Sequence, residues 1–179
     1  MLLPTGSEPV VGDPTWSPDS ATIAYVVDGH LTEGFWGIKI LDLRTEKSVM
    51  VPGSDMLWSP RWSPDGKYLV ALSGFFPKKL VLFSFATQKW EELASGIWLG
   101  WPSWSRDSKQ VVFADFSAGL FRTTVSDRRK EQIVSLSVLG PTSFVDSGYP
   151  WFGITPDGRP IGTRDTSIEE IYAFDLEYK

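Results

Sequence analysis

Apolar residues in this chain are grouped in short segments in which apolar and polar positions alternate. The segment 37–43 (Gly-Ile-Lys-Ile-Leu-Asp-Leu) is one example, and the segment 79–85 (Lys-Leu-Val-Leu-Phe-Ser-Phe) is another. Alternation with a period of two turns successive side chains to opposite faces of a β-strand. Residues that favour turns separate these segments, and no segment of useful length has the helical period. The pattern predicts an all-β protein.

A short motif divides the predicted strands into repeats. It occurs as Trp16-Ser17-Pro18-Asp19, Trp62-Ser63-Pro64-Asp65, Trp104-Ser105-Arg106-Asp107 and, in weaker form, Ile154-Thr155-Pro156-Asp157. The starts of these copies are separated by 46, 42 and 50 residues, and an apolar strand follows each copy. Self-similarity at this period is typical of the blades of a β-propeller, each made of four antiparallel strands.

Aligning the copies predicts where the strands of each blade lie. The first strand ends at the motif, and second strands are predicted at 23–27, 68–73, 110–115 and 160–165. Third strands are predicted at 37–43, 79–85, 119–125 and 170–176, and outer fourth strands at 48–51, 90–94 and 132–136. One domain, 1–179, therefore contains about four blades, at approximately 8–52, 53–94, 95–137 and 145–179.

The conspicuous residues of the motif have a structural interpretation. The tryptophan is expected to fill the same position between neighbouring blades in each copy, at Trp16, Trp62 and Trp104. The aspartate favours a turn through local side-chain hydrogen bonds, at Asp19, Asp65, Asp107 and Asp157. The alternatives are that a tryptophan contacts a ligand and that an aspartate binds a metal ion.

The ends of the chain suggest an incomplete ring. Residues 1–7 resemble 50–54 and are expected to end a preceding blade, while the fourth blade lacks its outer strand. We therefore expect the C-terminal part of a larger propeller of about six to eight blades, with a closed four-bladed ring as the alternative. An open arc leaves strand edges bare. The missing blades or another copy of the chain are thus expected partners, and the isolated chain is expected to dimerise or aggregate.

Two of these segments resemble a known repeat. Residues 62–69 (Trp-Ser-Pro-Asp-Gly-Lys-Tyr-Leu) and 38–43 (Ile-Lys-Ile-Leu-Asp-Leu), the second repeated at 171–176, are similar to the TolB-like, WD-like propeller repeat of bacteria. The resemblance covers about residues 8–177 and implies a β-propeller. Residues 151–158 further resemble the C-terminal blade of propellers fused to winged-helix regulators or serine/threonine kinases. In such fusions the propeller is taken to be a sensory or interaction module.

The same repeat also forms the gating propeller of prolyl oligopeptidase-type peptidases, which gives an alternative function. In that arrangement the hydrolase domain follows the propeller, whereas this chain ends directly after its last blade. The resemblance therefore favours a non-enzymatic protein-interaction or ligand-sensing module of a larger bacterial regulatory or signalling protein. A gating propeller without its hydrolase domain, or a freestanding scaffold, is the alternative.

The composition of the chain bears on its expected partners and on the cell compartment in which it works. The 179 residues carry a net charge of −5, and nucleic acid is not expected as a partner of this domain because phosphate binding requires a basic face. The sequence has no cysteine, which is compatible with either the cytoplasm or the periplasm. Neither a signal peptide nor a membrane segment is expected, because residues 1–6 lack the required pattern and no apolar run is long enough.

The sequence offers few residues for catalysis or for cofactor binding. His30 is its only histidine and lies in a predicted loop, and there is no Gly-x-Ser-x-Gly motif or phosphate-binding glycine pattern. A serine triad needs a positioned histidine, and a zinc site needs several His or Cys ligands. The adjacent glutamates at 91–92 and 169–170 are predicted to face opposite ways. We therefore expect no enzyme activity, metal or cofactor.

The remaining candidate is a binding surface formed where the repeat is irregular. In a propeller, the loops before the inner strands and those between second and third strands gather at one face around the central channel. These loops carry aromatic residues at Phe35, Trp36, Trp58, Phe75, Phe76, Trp98, Trp101, Phe116, Tyr149 and Trp151, with polar anchors at Arg122, Arg164 and Asp165. Exposed together, they would bind a protein, a peptide or a small ligand. The alternative is that they plug the ring or pack between blades.

Overall fold

Three four-stranded antiparallel sheets make up most of the structure. The computed structural model of the chain describes residues 11–27, 36–74, 76–139, 151–155 and 157–163. The first sheet contains β1 (Val11–Trp16), β2 (Thr22–Val27), β3 (Gly37–Asp42) and β4 (Lys47–Met50). The second contains β5 (Leu57–Trp62), β6 (Tyr68–Ser73), β7 (Lys78–Ser84) and β8 (Lys89–Gly96). The third contains β9 (Leu99–Trp104), β10 (Gln110–Asp115), β11 (Gly119–Thr124) and β12 (Lys130–Ser135).

Each sheet is a meander in which neighbouring strands are consecutive in the chain. A short pair, β13 (Phe152–Ile154) and β14 (Pro160–Gly162), begins a fourth sheet. The first strands β1, β5, β9 and β13 contact one another in chain order, so they form the inner edge of the arc. Four-stranded meanders packed radially through their inner strands are the blades of a β-propeller. The all-β propeller prediction is confirmed.

The predicted strands of the first three blades agree closely with the structure. The second strands of blades two and three begin and end at the predicted residues, and most other bounds differ by one or two. The outer strand predicted at 132–136 instead spans Lys130–Ser135, and the helical turn α1 (Leu136–Leu139) follows it. The predicted strand at 170–176 and the predicted end of a preceding blade at 1–7 lie outside the described residues.

The hydrophobic core lies between the blades, and β6 shows why. Its residues Leu69 and Ala71 pack in one cluster with Ala24 and Ile38 of the first blade. The intervening Val70 and Leu72 point the other way, into a second cluster with Phe113 and other residues of the third blade. All four β6 residues are fully buried. Alternation along the strand therefore binds the second blade to both neighbours, and burial of each valine or leucine side chain contributes about 1.5–3 kcal/mol.

The repeated tryptophans are not equivalent, which differs from the prediction that each fills the same position between blades. Trp104 is 9% exposed, stacks on Tyr68 of the preceding blade at 6.4 Å and donates its indole N–H to the Arg61 carbonyl at 2.9 Å. Trp62 is half-buried and stacks on Phe85 of its own blade. Trp16 is 54% exposed. Trp104 packs on a preceding blade, whereas Trp16 belongs to the first blade and has no preceding blade among the described residues.

The Ser-x-Asp part of the motif forms the same turn in each complete blade. Ser17, Ser63 and Ser105 each donate their hydroxyl to the aspartate two residues later, at 2.6–2.8 Å. The same hydroxyls accept the backbone N–H at the start of the next strand, from Thr22, Tyr68 and Gln110. Thr155 repeats the arrangement with Asp157 and Arg159. Each of these aspartates therefore accepts a hydrogen bond inside its own turn.

These hydrogen bonds predict a loss of stability in acid. The Ser105 hydroxyl and the Lys109 N–H hold the pKa of Asp107 below its ordinary value of 3.8. Partial burial opposes the shift at Asp65, but hydrogen bonds from Ser63 and Lys67 still lower its pKa. A carboxyl with a lowered pKa in the folded state stabilises the fold above its unfolded pKa, and that contribution disappears as pH falls through the folded pKa.

We expect the melting temperature to fall as pH decreases below about 4, the unfolded aspartate range. Asp107→Asn removes one titrating group, so its melting temperature should vary less with pH than that of the wild type. Ser105→Ala should reduce the same pH dependence, because it removes the hydroxyl donor and keeps the carboxylate. Calorimetry from pH 6 to pH 2 measures both. Wild-type pH dependence in both variants would contradict this assignment.

Candidate functional site

The inner strands of the three complete blades share an irregularity near their first residues. Two residues of each inner strand lie opposite one residue of the neighbouring strand, which is a β-bulge. The bulged pairs are Asp13-Pro14, Ser59-Pro60 and Trp101-Pro102, two residues before the motif tryptophan in each case. Proline has no N–H to donate to a strand ladder and is tolerated at such bulges. The bulge and the proline therefore recur together in the three blades.

The residue before each of these prolines has a left-handed backbone. The φ angles are 51° at Asp13, 53° at Ser59 and 51° at Trp101. This conformation costs a non-glycine residue on the order of 1–2 kcal/mol, and a following proline disfavours helical conformations further. Strain of this kind gathers at binding and catalytic sites. All three residues line a groove at the end of the propeller where the inner strands begin.

This inner-strand groove has two lobes that share Asp13, Trp58, Ser59 and Lys78. The first lobe, of about 460 Å³, is completed by Gly12, Val26 and Trp36. The second lobe, of about 470 Å³, is completed by Trp98, Leu99, Gly100, Trp101 and Phe116. Each lobe has the volume of a small-molecule site, and most of the surface that lines it is apolar. The groove therefore has the surface and the size to bind a ligand.

Two glycines allow aromatic rings to lie directly on the backbone of the groove. A β-carbon at Gly74 would lie 2.8 Å from the Trp36 ring and 3.0 Å from the Met56 carbonyl oxygen. A β-carbon at Gly100 would lie 2.6 Å from the ring of Phe116. Any larger residue would displace the ring it meets. The absence of a side chain at these positions therefore fixes the placement of Trp36 and Phe116.

Asp115, which sequence reasoning did not select, supports the second lobe from beneath. Its side chain is buried and accepts hydrogen bonds from the Ser117 hydroxyl at 2.6 Å and from the Ser117 N–H at 3.1 Å. It also accepts the Ile97 N–H at 3.4 Å, across the turn that carries Trp98. Burial tends to raise the pKa of Asp115, but the bonds from Ser117, Trp98 and Ile97 lower it. Asp115 is therefore a charged anchor that joins the two turns.

The two charged side chains of the groove, Asp13 and Lys78, differ in the partners that they contact. Asp13 accepts a hydrogen bond from Arg61 at 2.7 Å, an ion pair between the first two blades. The Lys78 ammonium donates to the Gly74 carbonyl at 2.8 Å, and no ion pair to it is found among the described residues. Its neighbour Lys79 lies on the other face of β7 and pairs with Glu92 at 2.9 Å. In the groove, the negative charge of Asp13 is therefore paired with Arg61, whereas the Lys78 ammonium is bonded to an uncharged carbonyl.

The structure brings together five of the aromatic residues proposed from the sequence, namely Trp36, Trp58, Trp98, Trp101 and Phe116. Two of them, Trp58 and Trp101, lie within inner strands instead of loops. Phe76 is 66% exposed and does not line the groove. Arg122, proposed as a polar anchor, instead pairs with Glu131 at 3.0 Å on the outer strands. Phe35, Phe75, Tyr149, Arg164 and Asp165, together with His30, lie outside the described residues.

Asp13, Ser59 and Lys78 are groove residues that the sequence analysis missed. The signal for the first two was the proline two residues before each motif tryptophan, at Pro14, Pro60 and Pro102. Nothing local distinguishes Lys78 from Lys79, because both begin the same strand. The two lysines differ only in the direction of their side chains, since Lys78 points toward the groove and Lys79 points to the other face of β7.

A second groove lies at the opposite end of blades two and three, beside the Ser-x-Asp turns, with a volume of about 750 Å³. Its charged residues contact one another: Lys67 pairs with Asp65, Lys109 with Asp107 and Arg128 with Glu91. Such surface pairs are worth about 0–1 kcal/mol each. Because the charges at this end are mutually satisfied, the aromatic groove is the better candidate site.

No helix in the described part of the chain is long and apolar enough to cross a membrane.

Three solved structures illustrate the similarity of the fold. TolB from Acinetobacter baumannii matches with a TM-score of 0.66 and 19% identity, over 89% of this chain and 39% of its own. The β-propeller domain of the Trilobed protease from Pyrococcus furiosus matches with a TM-score of 0.59 and 16% identity, over 70% of this chain and 42% of its own. Acylaminoacyl peptidase from Pyrococcus horikoshii matches with a TM-score of 0.54 and 15% identity, over 68% of this chain and 24% of its own.

These comparisons define the fold class. No protein-family model and no curated protein matches the chain. The three structures are less than a fifth identical to it, so they show the fold alone. The chain spans less than half the length of each of these structures. It has the fold of TolB-like β-propellers.

Proposed function

We propose that this chain is a non-catalytic binding module, and that the inner-strand groove is its ligand site. The observation that carries the proposal is the convergence of five aromatic side chains from the three complete blades on one groove. Aromatic side chains supply large contact area at low entropic cost, and Lys78 and Ser59 add polar groups that orient a ligand. The chain would supply this site to a larger bacterial regulatory or signalling protein.

The geometry of the polar groups supports binding in preference to catalysis. Asp13 is held by Arg61 at 2.7 Å, and Asp115 is engaged by Ser117 and the turn of Ile97. Both carboxylates are therefore occupied in positioning, whereas a general base must reach a substrate proton. The backbone strain at Asp13, Ser59 and Trp101 is compatible with a site shaped in advance for its ligand.

Fragment binding tests this proposal. A library of small organic fragments is screened against the protein by ligand-observed NMR, and every hit is repeated with Trp98→Ala. Trp98 is 47% exposed, so its removal is expected to keep the fold, which near-ultraviolet circular dichroism verifies. We expect most hits to weaken at least about fivefold with Trp98→Ala, since a buried aromatic contact is worth about 1 kcal/mol or more.

Phe76→Ala is the matched control for this screen, because Phe76 is an exposed aromatic residue outside the groove. Hits should bind this variant and the wild type equally. A library with no hits, or hits that bind all three proteins equally, would refute the groove as a ligand site.

A peptidase-associated propeller is the second candidate function. It is favoured by the similarity to the propeller domain of the Trilobed protease. The two candidates differ in what the neighbouring coding sequence specifies. A hydrolase domain with a Gly-x-Ser-x-Gly nucleophile elbow would favour the peptidase. A DNA-binding or kinase domain would favour the regulatory protein.

A further inference from the structure

We infer that the inner-strand groove selects an organic carboxylate with an aromatic body, and that Lys78 is the residue that recognises its charge. This inference rests on the proposed binding function and names the ligand class. Three features support it: Lys78 lines both lobes, no ion pair to Lys78 is found among the described residues, and apolar walls surround it.

Lys78 lies where the two lobes of the groove meet, since it lines both. Its side chain is half-buried, and its ammonium is held by the Gly74 carbonyl at 2.8 Å. That carbonyl belongs to the glycine on which Trp36 packs. The ammonium is therefore positioned by the backbone at the floor of the groove, and two of its three N–H donors have no acceptor among the described residues.

The charge of Lys78 is not neutralised by the described part of the protein. Asp13, the carboxylate among the described residues of the groove lining, is bonded to Arg61 of the neighbouring blade at 2.7 Å. Lys79 shows the ordinary arrangement, with Glu92 at 2.9 Å. Lys78 is half-buried beside aromatic side chains, and attraction between opposite charges strengthens as the local dielectric falls. The groove therefore complements an anion.

The aromatic side chains that line the second lobe indicate the shape of the uncharged part of the ligand. Trp58, Trp98, Trp101 and Phe116 surround the second lobe, which has a volume of about 470 Å³. Flat rings pair with flat rings in offset-stacked or edge-to-face geometry. A bare inorganic anion would leave this surface wet, whereas an aromatic acid fills the lobe and places its carboxylate on Lys78. The volume fits one drug-sized molecule.

A matched pair of probes tests the inference. 1-Naphthylacetate and the neutral 1-naphthylacetamide differ in charge and little in shape, and their dissociation constants are measured by ligand-observed NMR titration. Hydrogen bonds to charged groups are worth about 1.5–3 kcal/mol, so we expect the acid to bind at least about tenfold more tightly than the amide. Lys78→Met should reduce this ratio to about one while the affinity for the amide changes little.

Two further variants serve as controls. Lys78→Arg should restore most of the preference for the acid, because it retains a cation at the same place. Lys79→Met should bind like the wild type, since Lys79 faces away from the groove and pairs with Glu92. An acid-to-amide ratio of one in the wild type would overturn the inference. The proposed function would survive that result if fragment hits still depended on Trp98.

A peptide C-terminus presents the same carboxylate and is the competing source. N-acetyl-Gly-Gly-Phe is titrated as its free acid and as its C-terminal amide. If the peptide acid binds more than about tenfold more tightly than 1-naphthylacetate, and Lys78→Met removes that advantage, the occupant is a peptide and the small-acid inference is wrong. Comparable or weaker binding of the peptide acid supports the small aromatic acid.

Discussion

Replacing Trp104 with alanine is expected to destabilise the protein by about 3–5 kcal/mol, the usual cost of removing a buried large aromatic side chain. Trp104 is 9% exposed, stacks on Tyr68 of the preceding blade and donates to the Arg61 carbonyl at 2.9 Å. Its loss would open a cavity between blades two and three and leave that carbonyl without its donor. The free energy of unfolding of a native domain is only about 5–15 kcal/mol, so this single substitution removes a large share of that free energy.

Trp16→Ala is the matched control, because Trp16 occupies the equivalent position of the first repeat. It is 54% exposed, and surface substitutions usually change stability by less than about 1 kcal/mol. Trp62, half-buried against Phe85, is expected to give an intermediate loss. Urea unfolding followed by circular dichroism measures all three. Equal losses at the three positions would show that the motif tryptophan has one role in every blade, contrary to the structure.

Asp115→Ala is expected to cost about 2–3 kcal/mol, because it leaves buried N–H and hydroxyl donors without their charged acceptor. Those donors include both polar groups of Ser117 and the Ile97 N–H. The turn that carries Trp98 should also loosen, since Asp115 joins it to the next turn. A change in the fluorescence of Trp98, isolated by comparison with the Trp98→Ala background, would report this second effect.

Asp107→Ala is the control for Asp115→Ala. Asp107 also accepts a serine hydroxyl two residues away, at 2.7 Å, but it is exposed, so water replaces the lost partner. Its loss should destabilise the protein less than the loss of Asp115. Asp115→Asn should fall between alanine and the wild type, because the amide retains one acceptor oxygen. If Asp115→Ala and Asp107→Ala destabilise equally, Asp115 is not the buried anchor described here.

Strand positions were predicted well because the information is local. Alignment of the repeated motif, with an apolar run after each copy, predicted Tyr68–Ser73 and Gln110–Asp115 to the residue. The groove was predicted in part, since its aromatic residues were selected as candidates. Their position within inner strands at β-bulges was not foreseen, although Pro14, Pro60 and Pro102 carried a signal for it. The roles of Lys78 and Asp115 had no signal in the sequence.

The sequence by itself determined the blades and their turns. A serine hydroxyl and an aspartate two residues later close each Ser-x-Asp turn on themselves, and these contacts need no distant partner. Only the tertiary structure decided which copy of the tryptophan is buried, which of two adjacent lysines faces the groove, and which aspartate is an anchor. Those outcomes depend on the side chains that the next blade brings within reach. Trp104 meets Tyr68 across such a boundary, and Asp13 meets Arg61. Repetition in the sequence therefore specifies the framework, and departures from symmetry between neighbouring blades create the candidate site.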